Sequence, residues 1–200
     1  MGKVMILNAS PRAPRSNSKR YAEIFSKYDP SGCEYYNITK SNHKDLCAKI
    51  EAFSDVLFVF PLYVDGIPST LLQFLKTLED HAPRSKPVIS VLINCGFIEW
   101  EQNDVAISMI KLFCGQNGYA FGSALSIGSG EAILDTPFKF LADKKIKKFA
   151  ASIDKQKYGS FHTAMPLTKR VYINASTDYW IRYGKKNGIT REQMESMKIE

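Results

Sequence analysis

The chain has 200 residues, 44% hydrophobic and 24% charged, with a formal net charge of +7. That suits one soluble α/β domain with a sizeable core, and the longest apolar runs, of six or seven residues, are too short to span a bilayer. Cys33, Cys47, Cys95 and Cys114 form no Cys-x-x-Cys pair, which argues against a zinc site, an iron–sulfur cluster or a secreted disulfide framework.

Strand and helix signals alternate from the start. Met1-Gly2-Lys3 leads directly into an apolar strand over residues 3–8, so no leader is expected, and free thiols make a cytoplasmic location the simplest reading. A loop of Ser10, Pro11, Arg12, Ser16, Asn17 and Ser18 follows, and a helical pattern begins near residue 18. A strand feeding such a loop into a helix aims backbone N–H groups and a positive dipole end at one place. The hydroxyls of Ser10, Ser16 and Ser18, the amide of Asn17 and the guanidinium of Arg12 are donors suited to a phosphate monoester. An ordinary loop with a Ser or Asn N-cap is the competing reading. The glycines of a dinucleotide fingerprint and the Gly-Lys-Ser/Thr of an NTPase loop are both missing.

Asp29-Pro30-Ser31-Gly32 stops the first helix, and a strand over 33–38 and a helix over 44–53 come next. The most apolar strand covers 55–60 and belongs at the sheet centre. It opens into Pro61-Leu62-Tyr63-Val64-Asp65-Gly66-Ile67-Pro68, and Pro68 starts a helix with an inner stripe of Leu71, Leu72, Leu75 and Leu78. A fourth strand, 88–94, ends in Asn94-Cys95-Gly96-Phe97. The helix near 101–114 carries Val105, Met109, Leu112 and Phe113, and Gly115-Gln116-Asn117-Gly118 stops it. A fifth strand, 119–127, opens into Gly128-Ser129-Gly130-Glu131.

From Lys139 to Lys157 seven lysines stand against Asp143 and Asp154. Phe138, Leu141, Ala142, Ile146, Phe149, Ala150 and Ile153 form a helical stripe through this stretch, so a packed helix with a wet lysine face explains the charge and nucleic acid is not expected. Beyond Gly159 the pattern changes: 161–166 reads as extended or looped, 167–182 as a helix broken at Gly184, and Thr190 to Gln193 as a capping box. The expected division is 1–158 for the sheet domain and 159–200 for a helical extension packed on the domain or on a partner subunit. Phe161, Met165, Val171, Tyr172, Tyr179 and Trp180 give that tail apolar surface without a sheet to cover, which points to a homodimer.

Five parallel strands in the order 2-1-3-4-5 make a three-layer α/β sandwich, and ligands of such sheets bind where the strand order reverses. The loops after strands one, three and four converge there. Ser10-Pro11-Arg12 with Ser16-Asn17-Ser18 resembles the phosphate loop of the flavodoxin-like NAD(P)H-dependent FMN reductase family, and Pro61-x-Tyr63-x-x-x-x-Pro68 is similar to the loop bordering its isoalloxazine ring. Asn94-Cys95-Gly96-Phe97 sits where that family has a third flavin loop, and the resemblance spans about residues 3–154. One departure is the longer first loop, with Ala13-Pro14-Arg15 inserted, which makes Arg15 a replacement for Arg12 or an addition to it.

The resemblance implies FMN bound by Ser10, Arg12, Ser16, Asn17 and Ser18 at its phosphate, and by Pro61 to Gly66 (Leu62, Tyr63, Val64 and Asp65 between them) and Asn94, Cys95, Gly96 and Phe97 around its ring. It implies hydride transfer from NADH or NADPH through FMN to a small acceptor, a quinone, azo or nitro compound or free flavin, with no catalytic side chain required. Backbone N–H groups of 62–66 and 94–97 would be the ring's donors. A non-enzymatic flavodoxin-type electron carrier is the alternative, disfavoured by the basic charge. Cys95 reads more simply as a small loop residue than as a redox thiol, Tyr63 as stacking near the ring or as a rim aromatic, and Glu131 as a cap or a group reaching toward substrate. His43, His81 and His162 have no ligand spacing.

Overall fold

A computed structural model describes residues 3–13 and 15–198. Strands β1 (Val4–Asn8), β2 (Cys33–Asn37), β3 (Asp55–Pro61), β4 (Val88–Asn94), β5 (Phe121–Ile127) and β6 (Ser160–Thr163) form one sheet in the order β2-β1-β3-β4-β5-β6, every pair parallel. All five residues of β1 are buried, as are six of the seven in β3, because helices cover both faces of the sheet centre. Helices α2 (His43–Ile50), α3 (Ser69–Asp80) and α4 (Asp104–Asn117) pack Leu46, Ile50, Phe74, Leu75 and Ile110 into the cluster on one face. Helices α1 (Asn17–Ser26) and α5 (Lys139–Asp154) cover the other face, where Phe25 meets Phe149 edge-on at 5.8 Å.

The sheet has six strands where the sequence pattern gives five. The extra one, β6, has only four residues, with partly polar content, so it lacks the apolar run that marks the others. It exists because β5 would otherwise leave an open edge: Gly128 donates to Thr163 O at 2.8 Å and Ala124 to Gly159 O at 3.0 Å. By compactness the chain divides into Met1–Met165 and Pro166–Glu200. The second unit holds α6 (Lys169–Lys186) and α7 (Arg191–Ser196), the latter opened by the expected capping box at Thr190 and Gln193. Gly184 does not break α6; it lies buried inside it, and a Cβ there would meet Met194 Sδ at 2.6 Å.

Two helices turn differently from their sequence patterns. In α3 Phe74 joins the core, and Leu72 is 42% exposed. In α4 the residues against the sheet are Ala106, Ile107, Ile110 and Cys114, and the stripe of Val105, Met109 and Leu112 faces outward. Ala106 and Cys114 on the inner face let the helix approach the sheet closely, with Ile107 and Ile110 filling the space between. Helix α4 also runs through Gly115 and ends at Gly118, whose φ of +67° closes the helix with an N–H bond to Cys114 O.

Chain order and sheet order reverse between β1 and β3, and the strand ends are level: Asn8 pairs with Val59, Pro61 with Asn94, and Asn94 with Ile127. The loops that follow therefore meet at one carboxyl-end crevice.

Candidate functional site

The first loop is built around Asn8, which is fully buried. Its Oδ1 accepts from the N–H of Ser10 at 2.9 Å, and its Nδ2 donates to Tyr35 OH at 2.8 Å, Asn37 Oδ1 at 3.3 Å and Ser16 Oγ at 3.4 Å. One amide thus holds both ends of the loop. Between them the chain makes two tight turns, Ala13 N–H to Ser10 O and Arg15 N–H to Arg12 O; Pro14 lies outside the described residues.

Ser16 is the N-cap of α1, with extended backbone and its Oγ accepting from Lys19 N–H at 3.2 Å. Capping does not consume the site. Each of Ser10 and Ser16 keeps its hydroxyl proton, since among the described residues both act as acceptors. Helix geometry leaves the N–H groups of Asn17 and Ser18 without intrahelical acceptors. Arg12 and Arg15 are exposed, and among the described residues neither has a carboxylate at salt-bridge distance. Two amides, two hydroxyls and two guanidiniums at a helix N-terminus fit a phosphate monoester. Ser18 is less accessible than its position in sequence indicates: it is 1% exposed, with its Oγ accepting from Asn94 Nδ2 at 3.2 Å.

The loop after β3 is a two-residue hairpin. Tyr63 and Gly66 exchange both N–H···O bonds, at 3.0 and 3.1 Å, with Val64 (φ +48°) and Asp65 (φ +56°) at its tip. Leu62 N–H is taken by Asn94 O at 2.7 Å. The expectation that backbone N–H groups of 62–66 are the ring's donors is therefore narrowed: Leu62, Tyr63 and Gly66 spend theirs within the protein, which leaves Val64 and Asp65 in this loop.

Asn94, 3% exposed, joins three elements through its amide, which donates to Ser18 Oγ and to Phe60 O, both at 3.2 Å. The loop that follows is zipped to the one after β5: Cys95 N–H bonds Ile127 O at 3.0 Å, Gly130 N–H bonds Cys95 O at 2.7 Å, and Ser129 N–H bonds Phe97 O at 2.5 Å. This crossing is why glycines flank Ser129. A Cβ on Gly130 would lie 2.7 Å from Asn94 Cβ, and one on Gly128 would lie 2.6 Å from Ile98 O. Gly130→Ala is expected to destabilise the protein by about 1–3 kcal/mol in urea unfolding, since the obstructing atom is the Cβ of buried Asn94, which no change of rotamer moves.

The same loop is tied to α1. Tyr21 OH donates to Gly130 O at 2.8 Å, Asn17 Nδ2 to Glu131 O at 3.2 Å, and Arg20 makes a two-pronged contact with Asp135 at 2.9 and 2.5 Å while reaching Asn17 Oδ1 at 2.9 Å. The Arg20 hydrogen bonds hold the Asp135 carboxyl below its usual range. Asn17 is thus held from both sides.

These loops enclose a cavity of about 510 Å³. Ser10, Arg12, Ser16, Asn17 and Ser18 line one part of it, and Pro61, Leu62, Tyr63 and Asn94 line another. Val64, Asp65, Gly66, Cys95, Gly96 and Phe97 stand outside the lining. Val64 is 89% exposed at the hairpin tip, and Phe97 is exposed as well. Cys95 is buried with Sγ directed to Phe97 O and Glu99 O, and burial pushes its thiol up to about 11, which fits the packing role and not a reactive thiolate. Glu131 does reach the cavity, its carboxylate beside Gly96.

The lining also contains Pro11, Arg15, Lys19, Arg20 and Glu23. The helical residues among them were hidden in the sequence because Lys19, Arg20 and Glu23 read as an ordinary wet helix face. Asn8 was hidden because it closes an apolar strand; a buried amide at that place was the one available signal.

No family model and no curated protein matches the sequence. Solved structures do match. The NAD(P)H:quinone oxidoreductase of Methanothermobacter marburgensis superposes with a TM-score of 0.61 at 13% identity, over 76% of this chain and 96% of that one. An FMN-dependent NADH-azoreductase of Bacillus anthracis, solved in complex with FMN, gives 0.56 at 15% over 76% and 99%. The flavodoxin of Streptococcus pneumonia gives 0.56 at 15% over 77% and 99%. Against the rubredoxin oxygen:oxidoreductase of Desulfovibrio gigas the TM-score is 0.60 at 12% identity, and the match covers 77% of this chain but only 35% of that one. At these identities the likeness is one of architecture. Sheet order, helix placement and these superpositions together show that the chain has the flavodoxin-like fold.

Proposed function

We propose that the chain is an FMN-dependent oxidoreductase that takes reducing equivalents from NADH or NADPH and delivers them to a small acceptor, such as a quinone, an azo or nitro compound or free flavin. We infer as well that it works in the cytoplasm as a homodimer. The observation that carries the reading is the polarity of the cavity: donors suited to a phosphate gather at the start of α1, and Pro61, Leu62 and Tyr63 supply an apolar wall. The solved structures that superpose on the chain include reductases of quinones and azo compounds, one of them holding FMN, which supports the same reading.

Bound FMN would supply the chemistry itself, accepting a hydride and releasing electrons singly or in pairs. The protein's own residues do the rest. Ser10, Ser16 and the first N–H groups of α1 anchor the phosphate, with Arg12 and Arg15 neutralising it. Pro61, Leu62 and Tyr63 keep water from one side of the ring region. Asn94 and the paired loops after β4 and β5 fix the wall opposite, so that wall needs no rearrangement when ligand enters.

One cavity serves both donor and acceptor, so they take turns. The purified protein loaded with FMN is expected to be reduced stoichiometrically by NADH or NADPH without oxygen, and to show parallel double-reciprocal lines with a quinone as second substrate. Reduction by neither nicotinamide would leave the carrier alternative, in which electrons arrive from a protein donor. Intersecting lines would require a second pocket and would overturn the alternating scheme. Tyr63→Ala is expected to alter acceptor preference more than FMN retention, because Tyr63 is 56% exposed at the cavity edge.

A further inference from the structure

Packing of α5 on the sheet gathers its charge on one side. Ala142, Ile146, Phe149, Ala150 and Ile153 are buried. Opposite them Phe140, Lys144, Lys147, Lys148, Ala151 and Lys155 form one outward stripe, at i, i+4, i+7, i+8, i+11 and i+15. Helix α5 has 16 residues, so the stripe is about 24 Å long. Its four lysines are exposed, and among the described residues none has a carboxylate at salt-bridge distance. The two acids of the helix leave the stripe uncompensated. Asp143 accepts from Tyr28 OH at 2.6 Å, and Asp154 keeps its Oδ1 buried. On neighbouring α1, Glu23 stands 3.9 Å from Lys19.

Phe140 is the second feature that packing leaves unexplained. It is 59% exposed at the start of the stripe, in line with the lysines. That start lies at the carboxyl edge of the sheet, as the cavity does. The segment leading into α5 carries Glu131, which lines the cavity, and Asp135, which holds the cavity-lining Arg20.

We propose that the outward face of α5 docks on an anionic phospholipid surface, with the lysines over the lipid phosphates and Phe140 entering the headgroup layer. Charge complementarity carries the choice of partner. Every cation of the stripe is a lysine, a flexible point charge suited to a diffuse plane of phosphates; fixed carboxylates and base edges are read better by the fork of an arginine. The stripe offers no amide or hydroxyl with which to recognise a particular protein or a base. A lone exposed Phe among lysines finds apolar surroundings just beneath lipid headgroups and gains nothing from an acidic macromolecule. In its purpose, though not in its binding chemistry, the proposal rests on the reductase reading. A quinone, one of the acceptors of that reading, is apolar and dissolves in the bilayer, so a chain held at the surface meets it at a raised local concentration.

The test is cosedimentation of the full-length protein with phosphatidylcholine vesicles, plain or carrying about a third phosphatidylglycerol, at about 0.1 M salt, where charges act over ~10 Å. No FMN or nicotinamide is added. Wild type is expected to sediment with the phosphatidylglycerol vesicles and not with the plain ones, and to come off near ~1 M salt, where that range shrinks to about 3 Å. Lys144→Gln/Lys148→Gln/Lys155→Gln is expected to weaken binding about a hundredfold, at about fivefold for each lysine. Lys44→Gln/Lys76→Gln/Lys111→Gln removes the same charge from α2, α3 and α4 on the other face of the sheet, and should weaken binding by about twofold at most. Phe140→Ala is expected to cost about fivefold and to leave the remaining binding more sensitive to salt.

Equal losses in the two triple variants would assign the binding to net charge and overturn the docking face. Wild type that ignores the phosphatidylglycerol vesicles would overturn the lipid surface, and if it binds polyglutamate or duplex DNA instead, the face belongs to an acidic macromolecule. Flavin binding is read separately. Vesicle binding by a protein that takes up no FMN would keep the docking and remove the reductase reading, and FMN uptake with nicotinamide oxidation but no vesicle binding would do the reverse.

Discussion

Replacing Asn8 with Asp is expected to lower FMN affinity at pH 8 by about a hundredfold or more and to cost about 3–5 kcal/mol of stability. The change is one atom in size, so its effect comes from charge and hydrogen-bond direction. The Asn8 amide donates to Tyr35 OH, Asn37 Oδ1 and Ser16 Oγ from a fully buried position. A carboxylate there keeps the bond from Ser10 N–H but faces Asn37 Oδ1 acceptor to acceptor, and it sets a negative charge beneath the loop proposed to hold phosphate. Burial raises the pKa of such a carboxyl, so its neutral form prevails below that raised value. The sign of the pH dependence follows: the defect should shrink as pH falls and the new side chain takes up a proton, and grow as pH rises. Tyr35→Phe, which removes one partner and adds no charge, should be mild and independent of pH. Isothermal titration of FMN against each variant at several pH values checks this, with unfolding curves measured in parallel. Unchanged FMN affinity of Asn8→Asp at pH 8 would show that the loop is not the phosphate site.

Parts of the fold were legible for reasons that Asn8 illustrates by contrast. The runs at Val4–Asn8, Asp55–Pro61 and Val88–Asn94 announce a doubly covered parallel sheet because nothing else buries so many consecutive apolar residues. The meeting of the loops was legible too, since strand order alone sets where they converge, and the crevice does bring the Ser10–Ser18 loop and the Pro61–Tyr63 segment together. Strand β6 was not legible, because a four-residue edge strand is held by its neighbour's backbone and carries little side-chain signal. The orientation of α4 was not legible either. Two apolar stripes share that helix, and periodicity alone does not choose between Val105–Met109–Leu112 and the set that the sheet buries, Ala106, Ile107, Ile110 and Cys114. Hydrogen bonding within the loops escaped for a related reason. That Leu62, Cys95 and Gly130 spend their N–H groups on neighbouring loops depends on strands adjacent in space and distant in sequence.

The double variant Arg12→Ala/Arg15→Ala is expected to lose about 30- to 150-fold in FMN affinity, from about 1–1.5 kcal/mol for each charge-assisted contact at an exposed edge. Both guanidiniums are exposed and lack carboxylate partners among the described residues, so their removal disrupts no ion pair and should leave the unfolding temperature near that of wild type. That sets them apart from Ser16, whose loss would also uncap α1, and from Arg20, whose loss would free Asp135. The single variants decide between the two arginines. A loss confined to Arg15→Ala would mean that the inserted segment has taken over the contact, and equal losses would mean that both embrace one dianion. Riboflavin supplies the control that ties the effect to phosphate. It has the ring and no phosphate, so its affinity should be untouched by either substitution, and the salt sensitivity seen with FMN should be absent. If riboflavin and FMN weaken equally, the arginines act on the shape of the loop, and the charge that balances the phosphate must come from Lys19, which also lines the cavity and whose nearest carboxylate, Glu23, stands 3.9 Å away.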